Sequence, residues 1–205
     1  MSDHCCKHDH SVVTATDERY RRVLWTALWI NAVMFAVEVV SAYISGSVSL
    51  LADALDFAGD AANYGLSLVM LSLGLLWRAR GALVKGFTMG AFGVFVLTKA
   101  GLNIRIGVPP DPMIMSVIGL LALAANVIVA MMLYAFRKGN ADMRSVWLCT
   151  RNDAIGNLAV ILAALGVFGT GSAWPDLIVA IVMGGLAVWS AQSVVRQALR
   201  EIRSL

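Results

Sequence analysis

The sequence predicts an all-α membrane protein with six transmembrane helices. Its 205 residues are 59% hydrophobic and only 14% charged, and the mean hydropathy is +0.76. Such values are typical of polytopic membrane proteins and exclude an ordinary soluble domain. The formal net charge of +3 is too small to indicate nucleic-acid binding. The remaining evidence is a series of apolar runs and the distribution of basic residues between them.

Each apolar run is close to the roughly 20 residues that a helix needs to cross a bilayer. The six runs cover residues 23–44, 48–76, 81–104, 113–136, 144–168 and 176–196. None contains a proline, since the four prolines fall in links or at a helix start, where a missing N–H matters least. Tryptophans lie near several predicted ends, as an interfacial belt requires: Trp25, Trp77, Trp147 and Trp174.

The basic residues predict the orientation of the spans. Thirteen of the 16 lie before the first run, after the second, after the fourth or at the C-terminus. The alternate links hold only Arg105. Because basic residues concentrate on the cytoplasmic side, both termini are expected there. Lys85 and Lys99 interrupt the third run, but omitting this span would place two basic clusters outside. We therefore expect six spans.

The N-terminal segment has a metal-binding composition. Residues 1–20 are expected to form a cytoplasmic tail, mobile over 1–18, followed by a membrane domain over 21–200 and a short tail over 201–205. All three histidines and two of the three cysteines lie in it, at His4, Cys5, Cys6, His8 and His10. These are ligands suited to zinc. Either they capture metal for the protein, or the tail binds metal only incidentally.

Carboxylates inside the second run indicate an ion site. Asp56 and Asp60 are one helical turn apart, and Asp53 falls on the same face. A carboxylate at the centre of a membrane helix costs roughly 2.5–3.5 kcal/mol. The fifth run, in the matching place of the second half, carries Cys149 and Asp153 with the same i, i+4 spacing. That correspondence suggests an inverted repeat.

Two helices that each supply an i, i+4 pair can direct four side chains to one point. We therefore predict a metal site formed by Asp56, Asp60, Cys149 and Asp153. A divalent cation would offset the buried negative charge. The thiolate favours Zn²⁺ or Cd²⁺ over Mg²⁺ or Ca²⁺ and leaves Co²⁺ and Fe²⁺ open.

A purely structural role would require basic partners for these acids. Arg151 lies two residues from both Cys149 and Asp153, on the opposite helix face, and one arginine cannot neutralise three carboxylates. Other polar residues of the spans are expected to hydrogen-bond between helices, support the ligands or line the ion path: Asp53, Asn157, Asn31 and Glu38. The Gly86-x-x-x-Gly90 motif predicts close packing, either in a dimer or against an internal neighbour.

Two stretches resemble the cation diffusion facilitator family. The run from Asn31 to Glu38, followed by SGSVSLLADALDFAGD, is similar to the first two spans of that family. The fifth-span pattern CTRND-x-x-x-N is similar to the other half of its central site. The resemblance extends over essentially all six spans.

The resemblance implies a proton-coupled exporter of divalent transition metals that commonly works as a homodimer. The family's four central ligands correspond to Asp56, Asp60, Cys149 and Asp153. The family commonly has His or Asp at the positions of Asp56 and Cys149, so the cysteine is a departure. The family's usual cytoplasmic C-terminal domain would follow the sixth span, and since the sequence ends at Leu205 we expect a short form. The expected location is the bacterial inner membrane, with metal ions and protons as substrates and no cofactor.

Three other functions remain open from the sequence. A CDP-alcohol phosphatidyltransferase, which is an enzyme, also has six spans and begins its motif Asp-x-x-Asp-Gly. Here Phe57 stands where that glycine would be, and the motif leaves Cys149 and Asp153 unexplained. A membrane metal sensor or partner subunit would depend on the N-terminal tail. A passive metal channel would transport without proton coupling.

Overall fold

The structure, a computed structural model, consists of six helices and confirms the predicted fold class. It describes residues 10–70, 75–136 and 141–203, with side chains except at 10–17, 70, 75–79, 82, 85, 141–152, 197 and 201. In chain order the helices are α1 (His10–Ser45), α2 (Val48–Met70), α3 (Leu75–Ile106), α4 (Pro112–Tyr134), α5 (Ala141–Thr170) and α6 (Trp174–Arg203).

The helices differ from the predicted runs mainly at their ends. Residues 10–18 of the expected tail are helical and form the first turns of α1. Residues 1–9, and with them His4, Cys5, Cys6 and His8, lie outside the described residues. The doubtful third span is present as α3, with 32 residues. Charged residues lower hydropathy but do not prevent helix formation, so apolar runs underestimate helix length.

Five segments of the described chain are long and apolar enough to cross a membrane. They are Glu18–Ser45, Gly86–Ile106, Pro112–Tyr134, Asp153–Thr170 and Trp174–Arg200. The remaining helix, α2, has 23 residues, which is the length of a span, but it carries three aspartates. Among the described large apolar side chains of α2, only Val69 is exposed. α2 is thus the central helix, and the other helices supply the lipid-facing surface.

The helices form two units that meet at α2. α1, α2, α5 and α4 pack around one interior as a four-helix bundle, in which α1 contacts α2 and α4, and α5 contacts α4 and α2. α3 and α6 pack along each other, and this pair contacts α2, with α5 also touching α6. We call these units the bundle and the α3–α6 pair.

Three short connections lie together at one end of the molecule. They consist of residues 46–47, 107–111 and 171–173. Each connection begins with a glycine at positive φ, which terminates the preceding helix. Asp111 N donates to Ser45 O at 3.0 Å, which joins two of these connections. We call this the short-loop end.

A buried carboxylate joins the bundle to the α3–α6 pair at the short-loop end. Asp176, in the first turn of α6, is 1% exposed. Its Oδ1 accepts from Ser47 Oγ at 2.6 Å, Ser49 Oγ at 2.6 Å and Ser49 N at 3.1 Å, and its Oδ2 accepts from Val48 N at 2.9 Å. Asp176 therefore caps α2 from another helix and satisfies N–H groups that a helix start leaves free.

Small residues bring α3 and α6 close together. A Cβ atom on Gly86 would lie 2.7 Å from Val195 Cγ2, and one on Gly90 would lie 3.4 Å from Ala191 Cβ. The Gly86-x-x-x-Gly90 motif therefore packs against α6 of the same chain. Of the two alternatives that the sequence left open, this is the internal neighbour.

Candidate metal centre

The three aspartates of α2 project toward the interior from consecutive turns. Asp53 is 1% exposed and Asp60 is 6% exposed, whereas Asp56 is partly accessible. The helical spacing places them within one face, and the Ser47–Asp176 contacts fix where that helix begins. α2 thus brings three carboxyl groups into the centre of the protein.

Asp153 on α5 approaches this face. Its carboxyl group lies within hydrogen-bonding reach of that of Asp60 and interacts electrostatically with those of Asp56 and Asp53. No donor among the described residues reaches Asp153 Oδ2. Two carboxyl groups in contact have no favourable arrangement unless a proton or a cation lies between them. The contact of α2 with α5 therefore forms a site that attracts positive charge.

Tyr64 orients the Asp60 carboxylate. Its hydroxyl group donates to Asp60 Oδ2 at 2.9 Å, one helical turn along α2. The Tyr64 ring is buried in an apolar cluster with Tyr20, Leu24 and Leu133, so the hydroxyl group has a fixed position. Hydrogen bonds of this kind hold a ligating carboxylate in one orientation. The sequence analysis missed Tyr64, although its i, i+4 spacing from Asp60 was visible.

Asp56 lines a small cavity between α2 and the α3–α6 pair. The cavity has a volume of about 160 Å³, and Thr88, Met89 and Ala187 also line it. Its volume is sufficient for a few water molecules or a partly hydrated cation. Asp56 therefore connects the carboxyl cluster to space outside the bundle interior.

Asn31 and Asn157 have no hydrogen-bond partner on another helix among the described residues. Asn31 Nδ2 donates to Ala27 O of its own helix at 2.8 Å, and its Oδ1 has no partner among the described residues. Neither side-chain polar atom of Asn157 has a described partner. Asn126 Oδ1 on α4, which the sequence analysis did not single out, is also buried and unpaired within the described chain. Unpaired groups of this kind leave the bundle interior able to bind polar species.

The fourth predicted ligand cannot be placed. Cys149 lies in α5, but its side chain and that of Arg151 are outside the described residues. The same holds for the tail residue His10. Among the side chains that the structure describes, no three His, Cys, Asp or Glu residues are close enough together to bind one metal ion. The predicted ligand set thus remains a prediction, of which the Asp60–Asp153 approach is the described part.

Membrane helices that surround buried carboxyl groups are typical of proteins that bind or transport cations. Residues 77–202 match the model of the cation efflux transmembrane domain. This match covers more than half of the chain, so the protein belongs to the cation efflux family, which is the resemblance found in the sequence.

Several curated transporters are similar to the chain. The zinc transporter ZitB of Escherichia coli strain K12 is 26% identical over 95% of the chain and 67% of its own length. CzcD, a metal cation efflux system protein of Cupriavidus metallidurans, is 22% identical over 86% of the chain and 58% of its own length. A cadmium, cobalt and zinc/H(+)-K(+) antiporter of Bacillus velezensis is 21% identical over 94% and 65%. The chain thus spans about two thirds or less of these relatives.

Proposed function

We propose that the protein exports divalent transition-metal ions across a membrane in exchange for protons. The observation that carries this proposal is the approach of Asp60 and Asp153 from two helices inside the bundle. Family membership and the names of the relatives, which include a zinc transporter and a cadmium, cobalt and zinc antiporter, support the same substrate class.

The energetics favour a cation as the partner of this site. Three carboxylates within membrane spans cost about 8–10 kcal/mol if nothing compensates them. A divalent cation bound by Asp56, Asp60, Asp153 and the thiolate of Cys149 offsets that cost. The thiolate favours Zn²⁺ and Cd²⁺ over magnesium and calcium, while Co²⁺ and Fe²⁺ remain secondary candidates.

Proton coupling follows from the chemistry of the ligands. Carboxylates and thiolates bind metal only when they are deprotonated, so metal and protons compete for the same groups. A metal ion arriving from the cytoplasm displaces protons, and protons arriving from the other side displace the metal. Rocking of the α3–α6 pair against the bundle would expose the site to each side in turn. The cavity beside Asp56 is the proposed path on one side.

The proposed setting is the bacterial inner membrane, with both termini in the cytoplasm and the short-loop end outside. The basic residues of the sequence support that orientation. A homodimer is also proposed, because the family resemblance implies one.

A flux assay tests the exchange directly. Purified protein in liposomes with an internal pH dye would be given Zn²⁺, Cd²⁺, Co²⁺ or Fe²⁺ in turn under an imposed pH gradient. We expect metal uptake to be accompanied by proton movement in the opposite direction. Metal flux that is indifferent to the gradient would support a passive channel and refute antiport. Absence of any flux would favour the sensor or partner role.

Variants assign the ligands. Asp60→Asn and Asp153→Asn keep the side-chain shape but remove the charge, and each should lower metal affinity by about 100-fold. Asp111→Asn, at an exposed site of the short-loop end, is the control and should transport normally. Cys149→His should keep transport but change the order of metal preference, and an unchanged order would show that the thiol is not a ligand.

A further inference from the structure

A second pair of carboxyl groups lies in the bundle between α1 and α2. Glu38 is 0% exposed and Asp53 is 1% exposed. The two side chains are close enough to share a hydrogen bond. Yet no donor among the described residues reaches either oxygen of Glu38 or the Oδ2 of Asp53. These three carboxyl oxygens therefore have no described partner other than the opposing acid.

Among the side chains that the structure describes, none offers a counter-charge to this pair. The groups that interact electrostatically with Glu38 are Asp53 and Asp56, both acidic. From α5, Asp153 interacts with Asp53. α4 carries no acidic or basic side chain between Pro112 and Tyr134. Lys99 of α3 is exposed and lines the cavity between α1, α2 and α3, but it is not among the groups that interact electrostatically with Glu38 or Asp53. Every charged group that the structure shows acting on the pair thus repels a second negative charge.

Two ionised carboxylates in contact and away from water are strongly unfavourable, whereas one shared proton satisfies both. The shared proton would lie between an Oε atom of Glu38 and Oδ2 of Asp53. It leaves one net negative charge on the pair and needs no other donor. Geometry and burial together favour this arrangement over two separate ions.

The pair lies beside a route from the short-loop end. Asp53 is three residues closer to that end than Asp56, or about 4.5 Å along the helix axis. A cavity of about 780 Å³ extends along α1, α2 and α3 from Ser45 and Pro110 at the short-loop end to Leu55. Val39, which follows Glu38, also lines it. The pair is thus displaced from the predicted metal ligands toward the side from which protons would arrive.

We infer that Glu38 and Asp53 form a proton-holding site that is separate from the metal ligands and that carries a proton in the exchange cycle. The inference rests on the proposed function, since it concerns the coupling of that transport. The pair accepts a proton from water on the short-loop side. It releases that proton when the conformational change connects it to the opposite side, and no bond other than O–H is formed or broken.

The test separates metal binding from proton coupling. Glu38→Gln and Asp53→Asn each keep the shape of the side chain and remove the shared acidic proton. Glu18→Gln, an exposed change on the same helix, is the matched control. For each protein, zinc binding would be measured by calorimetry, and zinc-driven proton movement would be measured in liposomes. The protonated carboxyl C=O stretching band would be recorded by infrared spectroscopy in light and heavy water.

We expect Glu38→Gln and Asp53→Asn to bind zinc within about twofold of the wild-type affinity, because neither residue is a proposed ligand. Proton movement per zinc ion should decrease in both, and the carboxyl band of the wild-type protein should be lost. Loss of zinc stoichiometry in Glu38→Gln would instead make the pair a metal site and refute the inference. Unchanged proton coupling, with the band retained, would also overturn it.

Failure of the inference and failure of the proposed function give different results. If the wild-type protein moves zinc without protons, the antiport proposal fails regardless of the variants. The infrared band of the zinc-loaded wild-type protein tests the shared proton without any transport and without any variant that must fold, because zinc then replaces any proton between Asp60 and Asp153. Absence of that band at neutral pH, where exposed carboxyl groups are ionised, would refute the proton-holding site, even if antiport were demonstrated.

Discussion

The bundle and the α3–α6 pair are stabilised in different ways. Buried polar side chains concentrate in the bundle, at Asn31, Glu38, Asp53, Asp60, Asn126 and Asn157. Among the described residues of α3 and α6, the one buried charged side chain is Asp176, at the junction with α2. The pair instead relies on close approach of the two backbones at glycines. The buried acids at the centre of the bundle repel one another and destabilise it. The stability of the bundle must therefore come from the layers outside this centre.

Apolar layers supply that stability. One cluster near the short-loop end contains Ala42, Leu50, Met115 and Val160 from all four bundle helices. Another, which includes Leu24, Tyr64 and Leu133, lies toward the opposite end. These two layers lie on either side of the polar centre along the bundle. The α3–α6 pair is held instead by close contact of its two helices at glycines, and three substitutions test this difference between the two units.

The largest effect on stability is expected at Gly93 in the α3–α6 pair. A Cβ atom there would lie 2.8 Å from Val188 Cγ2 and 3.2 Å from the backbone oxygen of Gly184. Because the backbone cannot move aside as a side chain can, Gly93→Ala should destabilise the protein by about 2–3 kcal/mol. Thermal unfolding in detergent measures this.

Gly101→Ala provides the control for Gly93, since nothing lies within 4 Å of a Cβ atom at Gly101 of the same helix. The control should be neutral or slightly stabilising, because alanine has the higher helix propensity. Equal melting temperatures for the two variants would contradict close backbone packing as the source of stability in the pair.

The second prediction concerns the junction between the two units. Asp176→Asn keeps the shape but replaces one oxygen of a carboxylate that accepts four hydrogen bonds from Ser47, Val48 and Ser49. At least one donor then faces an NH₂ group, and the hydrogen bonds that remain lose their charge assistance. We expect a loss of about 2 kcal/mol of stability.

Asp111→Asn is the matched control for Asp176. Asp111 caps α4 at the same end, with Oδ1 accepting from Met113 N at 2.9 Å and Ile114 N at 3.2 Å, but its side chain is exposed. Asparagine is as good an N-cap as aspartate, so this variant should unfold at the wild-type temperature. If both changes cost the same, burial of Asp176 is not what links α2 to α6.

The sequence was sufficient to predict the six helices because long apolar runs and clustered basic residues each reflect the bilayer. It also predicted that α2 and α5 would carry acids into one interior, since i, i+4 spacing defines a face. It could not show that Asp176 reaches across to α2, because a contact between positions 129 residues apart leaves no periodic signal. Nor could it predict that Glu38 lies opposite Asp53, because this depends on the axial register of α1 against α2.

The smallest of the three effects on stability is expected inside the bundle, at Tyr64. Tyr64→Phe removes the hydrogen bond of 2.9 Å to Asp60 Oδ2, while the ring stays in its apolar cluster. The loss of stability should be about 1 kcal/mol or less. The effect on function should be larger, because an unconstrained Asp60 carboxylate must be ordered when the metal binds, and zinc affinity should decrease by about 10-fold.

Tyr43→Phe, an exposed change on α1, is the control and should leave zinc affinity unchanged. Calorimetric zinc titration of the three proteins measures the difference. Equal affinities for Tyr64→Phe and the wild-type protein would mean that Asp60 is positioned by its approach to Asp153 rather than by Tyr64. The organisation of the site would then depend on the packing of α2 against α5 instead of on a hydrogen bond within α2.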